Sequence, residues 1–196
     1  LIKPEAVRVD TKVIVVGTEN LYEHLYEGDT DFHKHFKISA EFDSVMPRNR
    51  ENMSRYVGFV RMIEREEGLH RFSADGIAEV IRHGIYLAEH KGKLSTRFSF
   101  IADVLREASY WADSSKEEKT GREAVRRALA ERRYLAGLPE EKIFEMIEEK
   151  ELKVLVSGRE RGVVNGIAIH DRGYYCFGAP TVVSARVAPG NEGIIN

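Results

Sequence analysis

The stretch LSTRFSFIADVLREASYW, residues 94–111, spaces its apolar side chains at intervals of three and four. This spacing places them on one face of an α-helix, which then packs against a core. Ser95 precedes the pattern, where a hydroxyl can accept hydrogen bonds from the free N–H groups of a first helical turn. We therefore predict an amphipathic helix capped by Ser95. Its apolar face comprises Phe98, Ile101, Ala102, Leu105, Ala108 and Trp111.

Two helices are predicted upstream by the same spacing. The first runs from about Arg50 to Glu67 and ends at Gly68, because glycine readily adopts the left-handed conformation that terminates helices. Ser73 can cap the second helix through its hydroxyl, and Gly92 is expected to end it. The side chains expected to face the core are Met53, Tyr56, Val57, Val60, Ile63, Ile77, Val80, Ile81 and Ile85.

Further helices are predicted downstream, after a polar connection at residues 113–119. Thr120 and Glu123 form the T-x-x-E pattern of a capping box at the start of the next helix. A shorter helix is predicted after Pro139. Because amphipathic helices joined by short loops pack side by side, the sequence predicts a mainly α fold built on an antiparallel bundle.

The segments on either side of the bundle have different patterns. The apolar run at residues 13–16 is typical of a strand buried on both faces of a parallel sheet, and residues 38–42 read as a second extended piece. Two strands do not make such a sheet, so we expect its other strands upstream of Leu1. The chain begins at Leu1 rather than Met and ends without a capping element at Asn196, so we expect truncation at both ends.

Period-two patterns at the C-terminal end predict a β-meander, cut short. The predicted strands are residues 152–156, 163–170, 174–177 and 181–187. The turns predicted between them are at residues 157–158, 171–173 and 188–190.

Composition excludes several classes of protein. The net charge of -2 and pI near 6.4 provide no overall attraction to nucleic acid or anionic membrane. A single cysteine, Cys176, excludes an intrachain disulfide, and no apolar run approaches the roughly 20 residues that span a bilayer. We therefore expect a cytoplasmic protein with no membrane partner. Charged residues make up 32% of the chain and glutamine is absent, a bias that resembles thermophile proteins.

The order of these parts resembles Lon-related proteases. In that family an AAA+ core is followed by a helical lid and then a Ser–Lys protease domain. Residues 94–111 resemble the third lid helix, GVVNGIA at residues 162–168 resembles the start of the protease domain, and SARVAPG at residues 184–190 is similar to the strand and turn that follow. The resemblance covers essentially the whole chain.

The resemblance implies a division of the chain into four parts. Short strands of an α/β core flank the lid on its N-terminal side, and the meander flanks it on the other. The expected parts are the C-terminal portion of the AAA+ core (residues 1–46), the helical lid (47–138), a connecting helix and strand (139–161) and an incomplete protease-domain meander (162–196).

The resemblance also implies two nucleotide contacts. Asn20 follows the apolar run, where AAA+ proteins place a polar sensor that orients a water toward the terminal phosphate. The alternative is that Asn20 caps a helix beginning near Leu21. Arg97 matches the second sensor, a guanidinium that bridges the γ-phosphate to the lid. Its alternative is a surface arginine paired with a neighbouring carboxylate.

One feature of active relatives is missing. They carry an arginine finger near residues 31–36, where this sequence has no arginine and where Lys34 and His35 are the nearest cations. Lysine does not reproduce the bidentate contact of a guanidinium. The resemblance therefore implies Mg–ATP as a ligand of the parent protein, whereas the missing arginine argues against efficient hydrolysis.

Other candidate motifs favour structural explanations. His24, His33 and His35 match no zinc-ligand spacing, so we expect no metal site. Cys176 lacks a placed base and is expected to be a small buried hydrophobe rather than a nucleophile. Ser157, Ser184 and Lys153 are not taken as a catalytic dyad. The arginine-rich helix is expected to be a solvated face, with weak DNA binding as the alternative, and its arginines are Arg122, Arg126, Arg127, Arg132 and Arg133.

Three functions remain open from the sequence. The first is a Lon-like serine endopeptidase, assembled as a homo-oligomeric ring and degrading unfolded or damaged proteins, with no catalytic residue in this chain. The second is a non-catalytic helical adaptor that binds protein or DNA. The third is a Lon-like protease that needs no ATP.

Overall fold

The computed structural model describes residues 10–154, 156–171 and 175–187, and divides the chain into two compact units, Leu1–Phe42 and Asp43–Asn196. The described residues are mainly helical, with two small antiparallel sheets. The mainly α fold with strands toward the C-terminus is therefore confirmed.

The first unit contains helix α1 (Glu19–Gly28) and the short helix α2 (Phe32–His35). The strands expected at residues 13–16 and 38–42 are wrong for this structure, since neither segment is paired with a described strand. A strand satisfies its N–H and C=O groups only through a neighbouring strand. Without one, the four side chains of residues 13–16 are between 52% and 90% exposed.

The second unit is built on four helices around one core: α3 (Arg50–Glu67), α4 (Ala74–Leu87), α5 (Phe98–Ser114) and α6 (Arg122–Ala136). The predicted bounds of α3 are confirmed, and Gly68 terminates it with φ of 64°. Ser73 caps α4 by accepting a hydrogen bond from the N–H of Gly76, as predicted. The largest fully buried side chains of these helices are Tyr56, Val60, Val80, Ile101, Val104, Leu105 and Val125. Met53 is more exposed than expected, at 38%.

The structure contains two short strands that the sequence did not predict, one before α3 and one between α4 and α5. β1 (Val45–Pro47) pairs antiparallel with β2 (Lys93–Ser95), with Val45 opposite Ser95. Two predictions fail here: α4 already ends at Leu87 rather than at Gly92, and Ser95 belongs to β2 instead of capping α5. Pairing with β1 holds the backbone of Ser95 extended, so the helix begins three residues later.

The capping box at Thr120 and Glu123 is also wrong. Gly121 occupies the N-cap position of α6, with no side-chain cap, and Thr120 is fully buried. The backbone of Thr120 forms a parallel bridge with Phe72, and its carbonyl accepts the N–H of Ser73 at 3.1 Å. A long-range backbone pairing therefore replaces the local cap.

The C-terminal part consists of helix α7 (Leu138–Glu148), as predicted after Pro139, and a hairpin of β3 (Val163–Asp171) and β4 (Cys176–Ser184). The two predicted strands around Pro180 are one strand, because proline is tolerated in a strand whose other edge is unpaired. The strand expected at residues 152–156 is absent from the described part of that segment.

The turns expected at residues 171–173 and 188–190 lie wholly or largely outside the described residues. Side chains on one face of β4 pack against α6 and α7, namely Tyr175 just before the strand, Phe177 and Ala179 against Ala136 and Ile143. Among the helices that the structure describes, none is long and apolar enough to cross a membrane.

Candidate functional site

Arg97 stands between β2 and α5, at the N-cap position of the helix. It is exposed, and its backbone N–H donates a hydrogen bond to Ser95 Oγ at 3.2 Å. The N-terminus of a helix carries a partial positive charge and free N–H groups. A guanidinium at this position adds to that charge, so the start of α5 favours an anionic group such as a phosphate.

Three hydrogen bonds to two parts of the molecule hold the backbone before Arg97. The buried Tyr56 hydroxyl donates to the carbonyl of Ser95 at 3.2 Å. The Thr96 hydroxyl donates to the carbonyl of Asp43 at 2.5 Å, and the Thr96 N–H donates to the carbonyl of Ser44 at 2.9 Å. We call the two bonds made by Thr96 the clasp.

Tyr56 remains a hydrogen-bond donor throughout the ordinary pH range. Burial raises the pKa of its hydroxyl well above its usual value, because the interior disfavours the phenolate. Gly84 of α4 makes room for this hydroxyl, since a Cβ there would lie 2.4 Å from Tyr56 Oη. The support beneath Arg97 therefore extends into the core of the bundle.

A cleft of about 440 Å³ lies beside Arg97. It is lined partly by Ser44, whose carbonyl accepts the Thr96 N–H, and by Val45, the first residue of β1. The cleft thus brings Arg97 and one partner of the clasp, Ser44, to one concave surface. The sequence identified Arg97 but gave no signal for the clasp, since its partners are more than 50 residues apart.

Asn20 lies in the first unit, where it is the second residue of α1 and is exposed. The helix cap is Thr18, whose hydroxyl accepts the N–H of Leu21 at 3.3 Å. The alternative that Asn20 caps this helix is therefore wrong. Its carbonyl oxygen lies 2.7 Å from His24 Nδ1.

A second cleft, of about 350 Å³, lies between the bundle and β4. His83 lines it, and burial lowers the pKa of this histidine to about 4, with the charge of Arg132 acting in the same direction. His83 is therefore neutral at physiological pH. Cys176 lines the same cleft and is exposed, so the expectation of a buried cysteine is wrong. Along β4 the alternation of faces buries Tyr175 and Phe177 and turns Cys176 outward.

The arginines of α6 are interleaved with acidic partners. Arg132 Nε lies 2.6 Å from Glu107 and Arg126 Nε lies 3.3 Å from Glu79. Arg127 lies over the ring of Trp111, with its guanidinium carbon 3.8 Å from the ring centroid. Hydrogen bonding to Glu107 raises the pKa of Arg132 further, despite its partial burial. These pairs offset much of the positive charge of α6.

The remaining candidate residues are spread over several elements. In the described part of the chain, no group of three or more histidine, cysteine or acidic side chains is placed to hold a metal ion. Lys34 Nζ pairs with Asp31 at 2.8 Å, and Lys153 Nζ lies 3.4 Å from Glu160. Ser184 is the last residue of β4, where it pairs with Val163.

Two family models match this chain. The model described as the AAA+ ATPase LID domain of archaeal LonB matches residues 71–134, and that of the LonB-like AAA domain matches residues 1–43. The second match ends within a residue of the boundary between the two structural units. The first covers all of α4 and α5, including Arg97 at the start of α5, and nearly all of α6.

Two curated relatives are similar over 173 residues, or 86% of this chain. The archaeal Lon protease of Pyrococcus abyssi is 27% identical, and that of Methanothermobacter thermautotrophicus is 25% identical. The similar region makes up 17% and 26% of their lengths, so the chain spans at most about a quarter of these relatives.

Proposed function

This chain is a Lon-related AAA+ chain, and from that premise we propose that its bundle is the nucleotide-sensing lid of a Lon-like protease. Arg97 contacts the terminal phosphate of Mg–ATP, and Asn20 orients a water toward it. The observation that carries this proposal is the placement of Arg97, exposed at the N-terminus of α5 within the segment matched by the lid model. The guanidinium supplies two parallel donors to a phosphate.

The proposal is tested by nucleotide binding to the full-length protein, measured by titration calorimetry with Mg–ATP. Arg97→Ala is expected to weaken binding about 10- to 100-fold, as for loss of hydrogen bonds to a charged group. Arg55→Ala is the matched control, since Arg55 is also exposed and pairs with Glu51 of its own helix. Equal affinity of Arg97→Ala and wild type would reject Arg97 as a nucleotide contact.

Asn20 has a different expected signature. An amide that orients the attacking water acts in the hydrolytic step, so Asn20→Ala lowers kcat for ATP hydrolysis while leaving nucleotide affinity within about threefold. A parallel loss of affinity and kcat would indicate a general role in binding instead.

The proteolytic chemistry is proposed for the parent protein. Its serine and lysine lie outside these 196 residues, the parent assembles as a homo-oligomeric ring, and its substrates are unfolded or damaged proteins. This chain alone then cleaves no unfolded protein substrate. If the reading frame beyond Asn196 lacks a serine and a lysine on an α/β segment within about 150 residues, one domain length, the protease assignment fails.

A protease that works without ATP is the second candidate. It is favoured by residues 31–36, where no arginine occurs and Lys34 is engaged by Asp31. Digestion of an unfolded protein by the full-length protein, with and without Mg–ATP, separates the two candidates. A strict requirement for nucleotide excludes the second one.

The adaptor alternative predicts salt-dependent retention on DNA. The acidic partners of Arg126 and Arg132 weigh against it, because they offset the positive charge of α6. Retention of the purified chain on a DNA column at low salt would support an adaptor that binds DNA, whereas elution in the flow-through would exclude that form and leave only an adaptor that binds protein.

A further inference from the structure

The chain enters the second unit at Asp43, immediately before β1. β1 is paired with β2, and β2 ends two residues before Arg97. The segment that leads into the bundle therefore lies beside the segment that carries the candidate nucleotide contact, although 53 positions separate Asp43 from Thr96.

Successive residues before Arg97 are anchored to different parts of the molecule. Ser95 is fully buried and receives the Tyr56 hydroxyl from α3, which ties it to the core of the bundle. Thr96 is bound through both its hydroxyl and its N–H to Asp43 and Ser44. We call these two residues, which directly precede β1, the entering segment. Arg97 follows directly on both anchors.

The entering segment is itself ordered at this point. The Asp43 carboxylate accepts the N–H of Val45 at 3.0 Å, which closes a tight turn before β1. The carbonyl of Asp43 is thereby held in place to receive the Thr96 hydroxyl. Asp43 is therefore joined directly to the residue next to Arg97.

We propose that Thr96 is a positioning residue for Arg97: its clasp on Asp43 and Ser44 sets where the guanidinium lies, and transmits displacement of the entering segment to it. This inference rests on the proposed nucleotide contact of Arg97. The hydroxyl of Thr96 touches no substrate in this scheme. It acts only through the residue that follows it.

The test is a double-mutant cycle in the full-length protein, with affinity for Mg–ATP measured by titration calorimetry. Thr96→Val removes the hydroxyl with little change of shape and is expected to weaken binding about 3- to 10-fold, as for the loss of one hydrogen bond. Thr96→Ser keeps the hydroxyl, and its affinity for Mg–ATP is expected to lie within about twofold of that of the wild type. Ser54→Ala, at an exposed position of α3, is the control and leaves affinity unchanged.

The combination of Thr96→Val with Arg97→Ala shows whether Thr96 acts through Arg97. We expect Thr96→Val to have no further effect once the guanidinium is gone, because a positioning residue then has nothing to place. Thermal unfolding of each variant, with Tm close to wild type, shows that the loss of affinity is not a loss of folding.

Three results would overturn the inference. If Arg97→Ala weakens binding and Thr96→Val does not, the clasp has no positioning role and the proposed nucleotide contact stands. If Thr96→Val weakens binding equally with and without Arg97, it acts by another route. If Arg97→Ala leaves affinity unchanged, the nucleotide contact fails, and the role of Thr96 fails with it.

Discussion

The bundle of the second unit and the apolar run of the first unit contain equally hydrophobic residues but bury them very differently. Leu105 of α5 is fully buried, whereas Ile14 is 86% exposed. A helix satisfies its own backbone hydrogen bonds, so an amphipathic helix needs only another apolar face. A strand needs a neighbouring strand as well, and none of the described strands pairs with residues 13–16. Side chains of similar hydrophobicity are therefore buried in a core in one region and exposed to solvent in the other.

The largest expected effect tests this comparison directly. Leu105→Ala should lower the free energy of unfolding by about 2–5 kcal/mol, since it removes buried methyl groups and leaves a cavity. Ile14→Ala should change it by less than about 0.5 kcal/mol, as for an exposed site. Urea unfolding of the 196-residue chain measures both. A large loss for Ile14→Ala would mean that the first unit buries this side chain in solution.

A smaller effect is expected within the bundle, at two helical glycines. A Cβ at Gly84 would lie 2.4 Å from Tyr56 Oη, whereas one at Gly58 would meet nothing within 4 Å. Gly84→Ala should destabilise the chain by about 1–3 kcal/mol through overpacking. Gly58→Ala should stabilise it by roughly 0.5–1 kcal/mol, because alanine favours helices. Similar shifts of the urea midpoint in both variants would show that Tyr56 is not packed as described.

The next effect is a pH dependence that arises from His83. Burial lowers the pKa of His83 in the folded chain to about 4, below the usual 6.5 of histidine, so the unfolded chain takes up the proton first. Stability is therefore full above pH about 6.5 and falls as the pH drops toward 4, by at most about 1.4 kcal/mol per pH unit from this residue. The free energies of unfolding of wild type and His83→Gln, measured in urea at pH 7, 6 and 5, should follow diverging curves when plotted against pH. Parallel curves would contradict the burial of His83.

The smallest effect concerns the hairpin. Because Cys176 is exposed, Cys176→Ser should change the free energy of unfolding by less than about 0.5 kcal/mol. The native thiol should also react with a thiol-specific dye nearly as fast as in the urea-unfolded chain. Strong protection of the native thiol would restore the sequence-based expectation of a buried cysteine.

The sequence predicted those features that depend on local periodicity. The extent of α3, its end at Gly68 and the cap at Ser73 follow from residues within a few positions of each other. The failures at Ser95 and Thr120 share one cause, because both residues are drawn into backbone pairing with distant partners, Val45 and Phe72. Local capping patterns carry no information about such partners.

The candidate site divides along the same line. Arg97 was identified through the resemblance of residues 94–111 to a lid helix, and it stands at the start of α5. The supporting bonds from Tyr56 and Asp43 join residues 39 and 53 positions apart, which no pattern in a single sequence reveals. The sequence therefore indicates Arg97 as a candidate contact, but it does not indicate the bonds that hold the backbone before Arg97.

The pairing of β1 with β2 has a consequence for how this region can vary. The chain between them leaves the ladder at Pro47, forms α3 and α4, and returns to it at Lys93, opposite its starting point. The segment of residues 48–92 thus starts and ends at one pair of facing residues, Pro47 and Lys93. Residues added or removed at its tip, between Gly68 and the backbone bridge of Phe72 with Thr120, change its length without shifting the register at which it rejoins the ladder. Natural insertions in this half of the bundle should therefore concentrate at that tip and leave the geometry at Arg97 intact.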